Sequence, residues 1–445
     1  MFQTKAVLAR WLAFSLCTGD WRTDAIVARL SESVPGLVGE YTFLAKRLRA
    51  RFDTPQPPTR AACADYLRTD PAFARVLEHA RRLNAWPLSL AAPTMTIAPA
   101  SQAQALPQLP TIARLADWLM IPVHEVDWFC RRLHDPELAR RRGHYRYRWV
   151  DKRSGGQRLL EIPKRRLKAV QRQIATELVA KLPVHDCAHG YVPGRSTRSY
   201  VAPHIAQAAL LRFDLKDFFI SVSSRQVYAI FSSFGYPSAV AHALARLTTN
   251  AVPAAIVGAC PQQLHHENAW RYARAHLPPG APTSAALSNL ALRRFDARLA
   301  GLAARMGLNY SRYADDLAFS WVIPARGKRQ RLESMVGAIA IDEGFVLNHN
   351  KTRSRAASDR QKLAGIVVNA KPNVPRVDYD RLKATLHNCV RSGPASQNHD
   401  CVDNFREHLL GRVNYVRWLN PARGERLLAL WRQIQWPQDA IIEDE

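Results

Sequence analysis

The chain carries at residues 311–320 the stretch SRYADDLAFS, in which apolar residues flank a pair of adjacent carboxylates. This pattern predicts two short strands joined by a tight turn, with Asp315 and Asp316 at its tip. Two neighbouring carboxylates repel each other, and a divalent cation relieves the repulsion. Adjacent Asp residues also occur in ordinary solvated turns, so the pair alone leaves both interpretations open.

A further carboxylate lies in an earlier apolar stretch, LRFDLKDFF at residues 211–219. The stretch predicts a buried strand, and a carboxylate such as Asp214 inside it is costly unless it is paired or binds a cation. An Asp that ends a strand and caps a helix is the plain structural alternative. Together, Asp214, Asp315 and Asp316 could hold two Mg²⁺ ions about 4 Å apart, as two-metal phosphoryl transfer requires.

The composition is that of a folded and strongly basic protein. The 445 residues include 63 Lys and Arg against 37 Asp and Glu, which gives a formal net charge of +26, and 47% are hydrophobic. These values exclude wholesale disorder and favour a polyanionic partner, although a generally basic surface would give the same charge.

The cysteines and the hydropathy pattern narrow the protein class further. The seven cysteines form no CxxC pair, which argues against a disulfide framework or a zinc knuckle and fits reduced thiols in the cytoplasm. Because no apolar run reaches about 18 residues, no membrane span is expected.

Hydrophobic spacing and proline content divide the first part of the chain into three segments. Residues 1–92 predict a helical N-terminal extension, and residues 93–110 a Pro-rich linker. A helical lead-in over residues 111–144 can begin at Thr111 as its N-cap. The role of the extension stays open among RNA clamping, self-assembly and contact with an effector protein.

From about residue 145 to 435 the sequence resembles the reverse transcriptases of bacterial retrons and their group II intron relatives. The motifs that carry the resemblance occur in the family's order. They are KRSGGQRLLEIPKRRLKAVQRQI at 152–174, HDCAHGYVPGRST at 185–197, FDLKDFF at 213–219, LPPGAPTSAALSNL at 277–290, YADD at 313–316, GFVLNHNKTR at 344–353 and KLAGIVVN at 362–369.

The resemblance implies an α+β fold, the right-hand polymerase, with fingers, a palm built on an antiparallel sheet and a helical thumb. The fingers are expected at residues 145–205 and the palm at 206–370, with a fingers insertion around 220–276. The thumb is expected at residues 371–445.

The resemblance also implies roles for residues at the centre of the palm. Asp214, Asp315 and Asp316 would be catalytic and would hold two Mg²⁺ ions, with Mn²⁺ as a substitute. The backbone carbonyl of Leu215 would be a further metal ligand. Lys351 would face the phosphates and act as an acid toward pyrophosphate, whereas an ordinary solvated lysine is the alternative.

Other matched positions would bind the nucleotide or nucleic acid. Phe219 would collide with a ribose 2′-OH and so select deoxynucleotides, with plain core packing as the alternative. The other nucleotide contacts implied are Arg158 and Lys152 toward the triphosphate, and Pro279, Gly280 and Ala281 beside the templating base pair. The contacts implied with nucleic acid are Arg195, Tyr313 and His204.

The sequence departs from the common retron pattern at three places. Pro279 stands where the family usually has Gln, and YVAPH at residues 200–204 keeps only the last residue of the retron NAxxH motif. LAG at residues 363–365 replaces the retron VTG. In the family, the last two motifs are associated with handling the retron's own RNA, so these departures concern the template rather than the chemistry.

We therefore expect a retron-type RNA-directed DNA polymerase in the cytoplasm that serves antiphage defence. Its partners would be a structured noncoding RNA template, the RNA–DNA duplex, dNTPs, and an effector protein or a second copy of the chain, but no membrane. A defence reverse transcriptase without a branched RNA–DNA product is one alternative. A catalytically idle nucleic-acid-binding scaffold is another, against which the complete carboxylate set argues.

Overall fold

The computed structural model describes residues 5–17, 20–33, 38–54, 57–82, 95, 106–131, 143–152, 155–259, 266–322 and 327–436. The chain forms two compact units, Met1–Thr94 and Met95–Glu445. Most of the predicted Pro-rich linker lies outside the described residues. No helix in the described part of the chain is both long enough and apolar enough to cross a bilayer.

The N-terminal unit is helical where it is described. Its helices are α1 (Lys5–Leu16), α2 (Thr23–Ser33), α3 (Val38–Arg51), α4 (Arg60–Thr69) and α5 (Pro71–Arg82). Their apolar faces enclose a core of their own, in which Trp21 and Tyr41 are the largest buried side chains. Asp70 accepts hydrogen bonds from the backbone N–H groups that begin α5 and pairs with Arg47 at 2.8 Å, which fixes the corner between α4 and α5.

The second unit is built around a four-stranded antiparallel sheet. Its strands are β3 (Ala209–Asp214), β4 (Asn309–Tyr313), β5 (Asp316–Trp321) and β6 (Arg353–Ala356), in the spatial order β4-β5-β3-β6. The predicted strand–turn–strand over SRYADDLAFS is present as the hairpin of β4 and β5, in which Tyr313 pairs with Asp316. At the end of the two central strands, β3 and β5, Asp214 lies opposite Asp316.

Alternation along the strands gives this sheet two different faces. Leu211, Phe213 and Phe319 point to one face and enter the main hydrophobic core. Leu210 and Ala318 point to the other face and join a second core with the C-terminal helices. Asp214 and Asp316 share the parity of this second face, so they lie on the side of the sheet that the C-terminal region partly covers.

Two further hairpins, each of two strands, lie outside the four-stranded sheet. Strands β1 (Tyr145–Asp151) and β2 (Gln157–Pro163) pair antiparallel, and Gly155 and Gly156 adopt positive φ in the turn between them. Strands β7 (Lys362–Leu363) and β8 (Ile366–Val367) form the second hairpin.

The helices of the second unit surround these strands. They are α6 (Ile112–Trp118), α7 (Val123–Cys130), α8 (Arg165–Gln173), α9 (Thr197–Val201), α10 (Phe218–Ser221), α11 (Ser224–Ser233), α12 (Ser238–Thr248), α13 (Ala254–Gly258), α14 (His266–Ala273), α15 (Ser284–Ala291), α16 (Arg293–Met306), α17 (Lys328–Asp342), α18 (Arg376–Ser392), α19 (Phe405–Leu419) and α20 (Pro421–Trp431). As predicted, Thr111 is the N-cap of α6, where its hydroxyl accepts from Arg114 N.

A buried polar cluster joins the β1–β2 hairpin to the segment before the LPPGAP motif. His276 and Glu161 are at most 1% exposed and lie 2.6 Å apart, Nε2 to Oε1. Asn250 donates to the other carboxylate oxygen at 2.7 Å. Burial lowers the pKa of His276, but the Glu161 carboxylate and nearby backbone carbonyls raise it by more, so the net shift is upward. The contact with Glu161 therefore favours the protonated form of His276, and with it an ionic pair.

We expect Glu161→Gln to destabilise the protein by about 1–3 kcal/mol, because an amide NH₂ would face a second donor in a fully buried site. The raised pKa of His276 means that its contribution is full below pH ~6.5 and is lost as pH rises through the folded pKa. Urea unfolding at pH 6 and pH 9 should show a larger difference from wild type at pH 6.

The matched control for this prediction is Glu333→Gln, which removes the same charge from an exposed pair with Arg329. Surface pairs of this kind contribute at most about 1 kcal/mol. Equal losses in the two variants, or a Glu161→Gln effect that does not depend on pH, would contradict the ionic assignment.

Candidate active site

Three carboxylates meet where the central strands end. Asp214 is the last residue of β3, Asp316 is the first of β5, and Asp315 lies in the turn that precedes it. The Leu215 N–H donates to the Asp315 carbonyl at 3.0 Å, which ties the end of β3 to the turn. The sheet therefore brings together, at one end of its two central strands, the residues that the sequence placed in two distant motifs.

The turn itself has a strained and closely packed backbone. Ala314 has φ +56°, a left-handed conformation that residues with a Cβ rarely adopt. Gly190 lies against it so closely that an added Cβ would meet Ala314 N at 2.7 Å. Gly190, the first glycine of the HGYVPG segment, thus makes room for the turn that carries Asp315.

A buried network holds that turn in place. Arg312 is fully buried and donates to both oxygens of Asp296, at 2.8 and 2.6 Å. Its remaining terminal nitrogen donates to Asn289 Oδ1 and to the Ala314 carbonyl. Asn289 in turn donates to the Gly190 carbonyl at 2.7 Å. Arg312, Asp296 and Asn289 were not identified from the sequence. The usable signal was Arg312, a charged residue at an inward strand position directly before YADD.

Two of the three carboxylates have a cationic side chain as direct partner. Arg212, two residues before Asp214 on β3, donates through Nε and Nη2 to Asp316 Oδ1 at 2.9 and 2.5 Å. Lys351 donates to both oxygens of Asp214 at 3.0 and 3.1 Å, and Asn348 donates to one of them at 3.3 Å. Arg212 was not identified from the sequence.

Asp315 has no ion pair among the described residues, and its electrostatics differ accordingly. Burial raises the pKa of its carboxyl, and the neighbouring charges of Asp214 and Asp316 raise it further, to about 6. For Asp316, burial also raises the pKa, although Arg212 opposes the shift. The site therefore holds more negative charge than its own cations relieve.

This donor set fits divalent cations, because oxygen ligands in a crowded anionic site are what Mg²⁺ and Mn²⁺ prefer. In the described part of the chain, no three His, Cys, Asp or Glu side chains converge in metal-ligating geometry. Arg212 contacts Oδ1 of Asp316, and Lys351 contacts both oxygens of Asp214. A metal ion would compete with these contacts for the carboxylate oxygens.

A cavity of about 920 Å³ opens in front of Asp214 and Asp315, whereas Asp316 is not among the residues that line it. We refer to it as the central cavity. Its lining includes most of the nucleotide and metal residues predicted from the sequence: Lys152, Arg158, Asp214, Leu215, Phe219, Pro279, Asp315 and Lys351. Tyr191 and Asn348 also line it and were not singled out. Lys152 Nζ lies 3.6 Å from Asp217 Oδ1. One wall of the cavity is therefore cationic, and its lysine forms an ion pair with an aspartate.

The predicted track at Pro279, Gly280 and Ala281 packs against the β1–β2 hairpin. Glu161 N donates to the Pro279 carbonyl at 2.8 Å. Gly280 has φ +118°, and an added Cβ would approach the Glu161 carbonyl to 3.2 Å. The small residue is therefore required by the protein's own backbone, and Ala281 is 8% exposed. Of the three, only Pro279 lines the central cavity.

Two of the residues predicted to contact nucleic acid have a different environment. The structure contradicts a direct contact by His204, because it is fully buried with one ring nitrogen on Ser311 and the other on Ser320. Burial lowers the pKa of His204 to about 3, so the ring is neutral. It joins β4 and β5 beneath the surface.

Arg195 mainly builds its own loop. Its Nη1 donates to the carbonyls of His185, Asp186 and Ala188, and Nη2 donates to the Asp186 carboxylate. With these donors engaged, its contact with a template stays a prediction without support from the geometry. Tyr313 is half-buried, with its ring 5.6 Å from that of Tyr200.

The chain is similar to a family of known proteins. Residues 150–368 match the family described as "Reverse transcriptase (RNA-dependent DNA polymerase)". Retron Mx65 reverse transcriptase of Myxococcus xanthus is 41% identical over 64% of this chain and 63% of its own length, slightly less than two thirds. Retron Mx162 reverse transcriptase of the same species is 33% identical over 78% of this chain and 71% of its own. Retron Ec86 reverse transcriptase of Escherichia coli is 28% identical over 64% and 79%.

The close approach beneath the turn leads to a stability prediction. Gly190→Ala should destabilise the protein by about 1–3 kcal/mol, because the new methyl group would have to displace the Ala314 backbone. Gly301→Ala is the control, since an added Cβ there meets nothing within 4 Å and the residue lies inside α16. We expect the control to be neutral or stabilising by up to about 1 kcal/mol. Equal unfolding midpoints for the two variants would contradict the packing argument.

Proposed function

The chain belongs to the family of retron-type reverse transcriptases, and we propose that it synthesises DNA on an RNA template by nucleotidyl transfer. The observation that carries the proposal is the central cavity, in which carboxylates at the floor face cationic side chains on the walls. A nucleoside triphosphate needs both kinds of group. Its phosphates require cationic partners, and the metal ions at its reacting phosphate require carboxylate ligands.

The residues of the cavity divide this work by position. Arg158 and Lys152, on and beside the β1–β2 hairpin, are placed to hold the triphosphate, and the planar guanidinium of Arg158 suits bidentate phosphate contacts. Asp214, Asp315 and Asp316 would hold Mg²⁺, which supplies a lowered pKa for the attacking hydroxyl and charge neutralisation for the leaving group. Lys351, already on Asp214, is close enough to move toward the phosphates.

Phe219 is placed for sugar selection. It lines the central cavity, and its ring lies 5.4 Å from Phe218 and 6.5 Å from Tyr191, centroid to centroid. The ring therefore packs partly on the core while one side faces the cavity, which combines the two interpretations that the sequence left open. A rigid ring in this place would exclude a 2′-OH sterically.

For the template, we propose a structured noncoding RNA of retron type, used in antiphage defence. The support is the set of relatives named as retron enzymes. The departures at YVAPH and LAG favour the alternative of a defence enzyme without a branched RNA–DNA product. A non-catalytic scaffold would not need three clustered carboxylates, of which burial and mutual repulsion raise the pKa of Asp315 and Asp316.

Asp315→Asn tests the proposed metal-binding role of this carboxylate. Incorporation of dNTPs on a primed RNA template should fall to background, because a neutral amide is a poor metal ligand. Stability in EDTA should rise, by an amount on the order of 2–3 kcal/mol at neutral pH, because the variant removes a buried charge that its neighbours repel. The raised pKa of Asp315 makes this gain smaller at pH 5 than at pH 7.

Asp359→Asn is the control, since it makes the same change at an exposed residue outside the cavity. Retained incorporation in Asp315→Asn would remove the proposed mechanism. Nucleic acid that co-purifies with each protein addresses the template. DNA joined to one structured RNA in wild type but absent in Asp315→Asn would support a retron. DNA without attached RNA would support the other defence enzyme, and RNA alone in both would favour the scaffold.

Phe219→Ala tests the proposed selection of the nucleotide sugar. Phe219→Ala should raise the efficiency of ribonucleotide incorporation relative to the deoxynucleotide by at least about tenfold, because the steric exclusion worth a few kcal/mol is removed. Phe219→Tyr keeps the ring and should keep the discrimination. Steady-state kcat/KM for dATP and ATP on the same primed template measures both. Unchanged selectivity in Phe219→Ala would assign Phe219 to core packing alone.

A further inference from the structure

A second cavity, of about 450 Å³, lies on the same sheet face as the catalytic carboxylates. We refer to it as the basic pocket. It is lined by Leu210, Arg212, Arg353, Arg355, Arg360, Lys362, Ala364 and Gly365. The lining thus contains five cationic side chains and no acidic one. Such a concentration of positive charge is unfavourable unless an anion occupies it.

The sheet register explains how the cations come together. Arg212 on β3 pairs with Arg353 on β6, and Leu210 pairs with Arg355. Paired residues on neighbouring strands present side chains to the same face, so three arginines project side by side. Among the described residues, Arg212 is the one member of the pocket with a carboxylate within 4 Å, and that carboxylate is Asp316.

We propose that Arg212 is a gate between nucleic acid and the catalytic site, an inference that rests on the proposed function. Without nucleic acid, its guanidinium occupies Asp316 Oδ1 with two donors. When a backbone phosphate of the duplex enters the basic pocket, Arg212 turns to it, and Oδ1 of Asp316 becomes available to a divalent cation. Arg212 is therefore a positioning residue, since it acts on the reaction through Asp316.

The geometry makes the two events compete for the same groups. Arg212 is 35% exposed at the side chain and Asp316 18%, so the contact can open without unfolding the sheet. A phosphodiester offers Arg212 the same bidentate acceptor as a carboxylate, in a pocket that four further cations favour. Because phosphate and cation each relieve one half of the ion pair, thermodynamic linkage requires that each raise the affinity for the other.

We expect a backbone phosphate rather than the triphosphate of the nucleotide. Arg355, Arg360 and Lys362 line the basic pocket but not the central cavity, whereas Arg353 lines both. The pocket also extends along β3 from Arg212 to Leu210, away from Asp214. A chain of phosphates can follow such a path, and a single nucleotide in the central cavity cannot.

The test measures Mn²⁺ binding by the loss of the free-ion EPR signal, without nucleotide and without turnover. Wild type is titrated alone and with an RNA–DNA duplex whose primer ends in a dideoxynucleotide, and the duplex alone is titrated and subtracted. We expect the duplex to tighten Mn²⁺ binding by roughly 5- to 50-fold. In Arg212→Met, binding without duplex should already approach the duplex-bound value, and the gain from duplex should mostly disappear.

Arg355→Met is the matched control, because it removes the same charge from the same pocket without touching Asp316. It accounts for the general effect of one fewer positive charge, and it should weaken duplex binding while leaving free-protein Mn²⁺ affinity close to wild type. Should Arg212→Met fold poorly, Arg212→Gln removes the charge and keeps some hydrogen bonding.

Equal Mn²⁺ affinities of Arg212→Met and Arg355→Met without duplex would overturn the gate. So would a wild type whose Mn²⁺ affinity responds to dATP but not to the duplex, because the relieving phosphate would then be the nucleotide's. These binding results stand apart from the activity assay. If wild type incorporates no nucleotide, the proposed function fails, whereas competition between Arg212 and Mn²⁺ remains measurable.

Discussion

The buried ion pair between Arg312 and Asp296 is the contact on which the β4–β5 hairpin depends. A fully buried charge persists only when its donors are satisfied, and Arg312 meets this condition by bonding Asp296, Asn289 and the Ala314 carbonyl. Losing one partner would leave a charge without solvent, at several kcal/mol. The left-handed backbone at Ala314 is held by this network, and the position of Asp315 follows from it.

The charges of the site are arranged in pairs rather than as a single anionic cluster. Asp214 is bound by Lys351 and Asp316 by Arg212, while Asp315 keeps a raised pKa between them. These pairs explain how three carboxylates can lie together at the end of a sheet. Metal ions would compete with Arg212 and Lys351 for the carboxylates, so the contacts that stabilise the protein and its activity oppose each other.

The sequence was sufficient for the fold and named several residues that line the central cavity, but not their partners. The hairpin over SRYADDLAFS and the N-cap at Thr111 depend on local patterns, which a sequence displays directly. The contacts of Arg212 and Arg312 depend on strand register and on helices far away in the chain, and no local pattern encodes them. His204 shows the opposite error, because a motif position gave a role that only burial could refuse.

Arg353 connects the two halves of the proposed chemistry. It is the cation that lines both the central cavity and the basic pocket, and it lies directly opposite Arg212 in the sheet. Phosphates of the incoming nucleotide and of the duplex would thus meet on neighbouring side chains of β3 and β6. Coupling between strand binding and metal binding then needs no long-range conformational change, because a shift of one guanidinium over a few ångströms changes the charge that Asp316 presents.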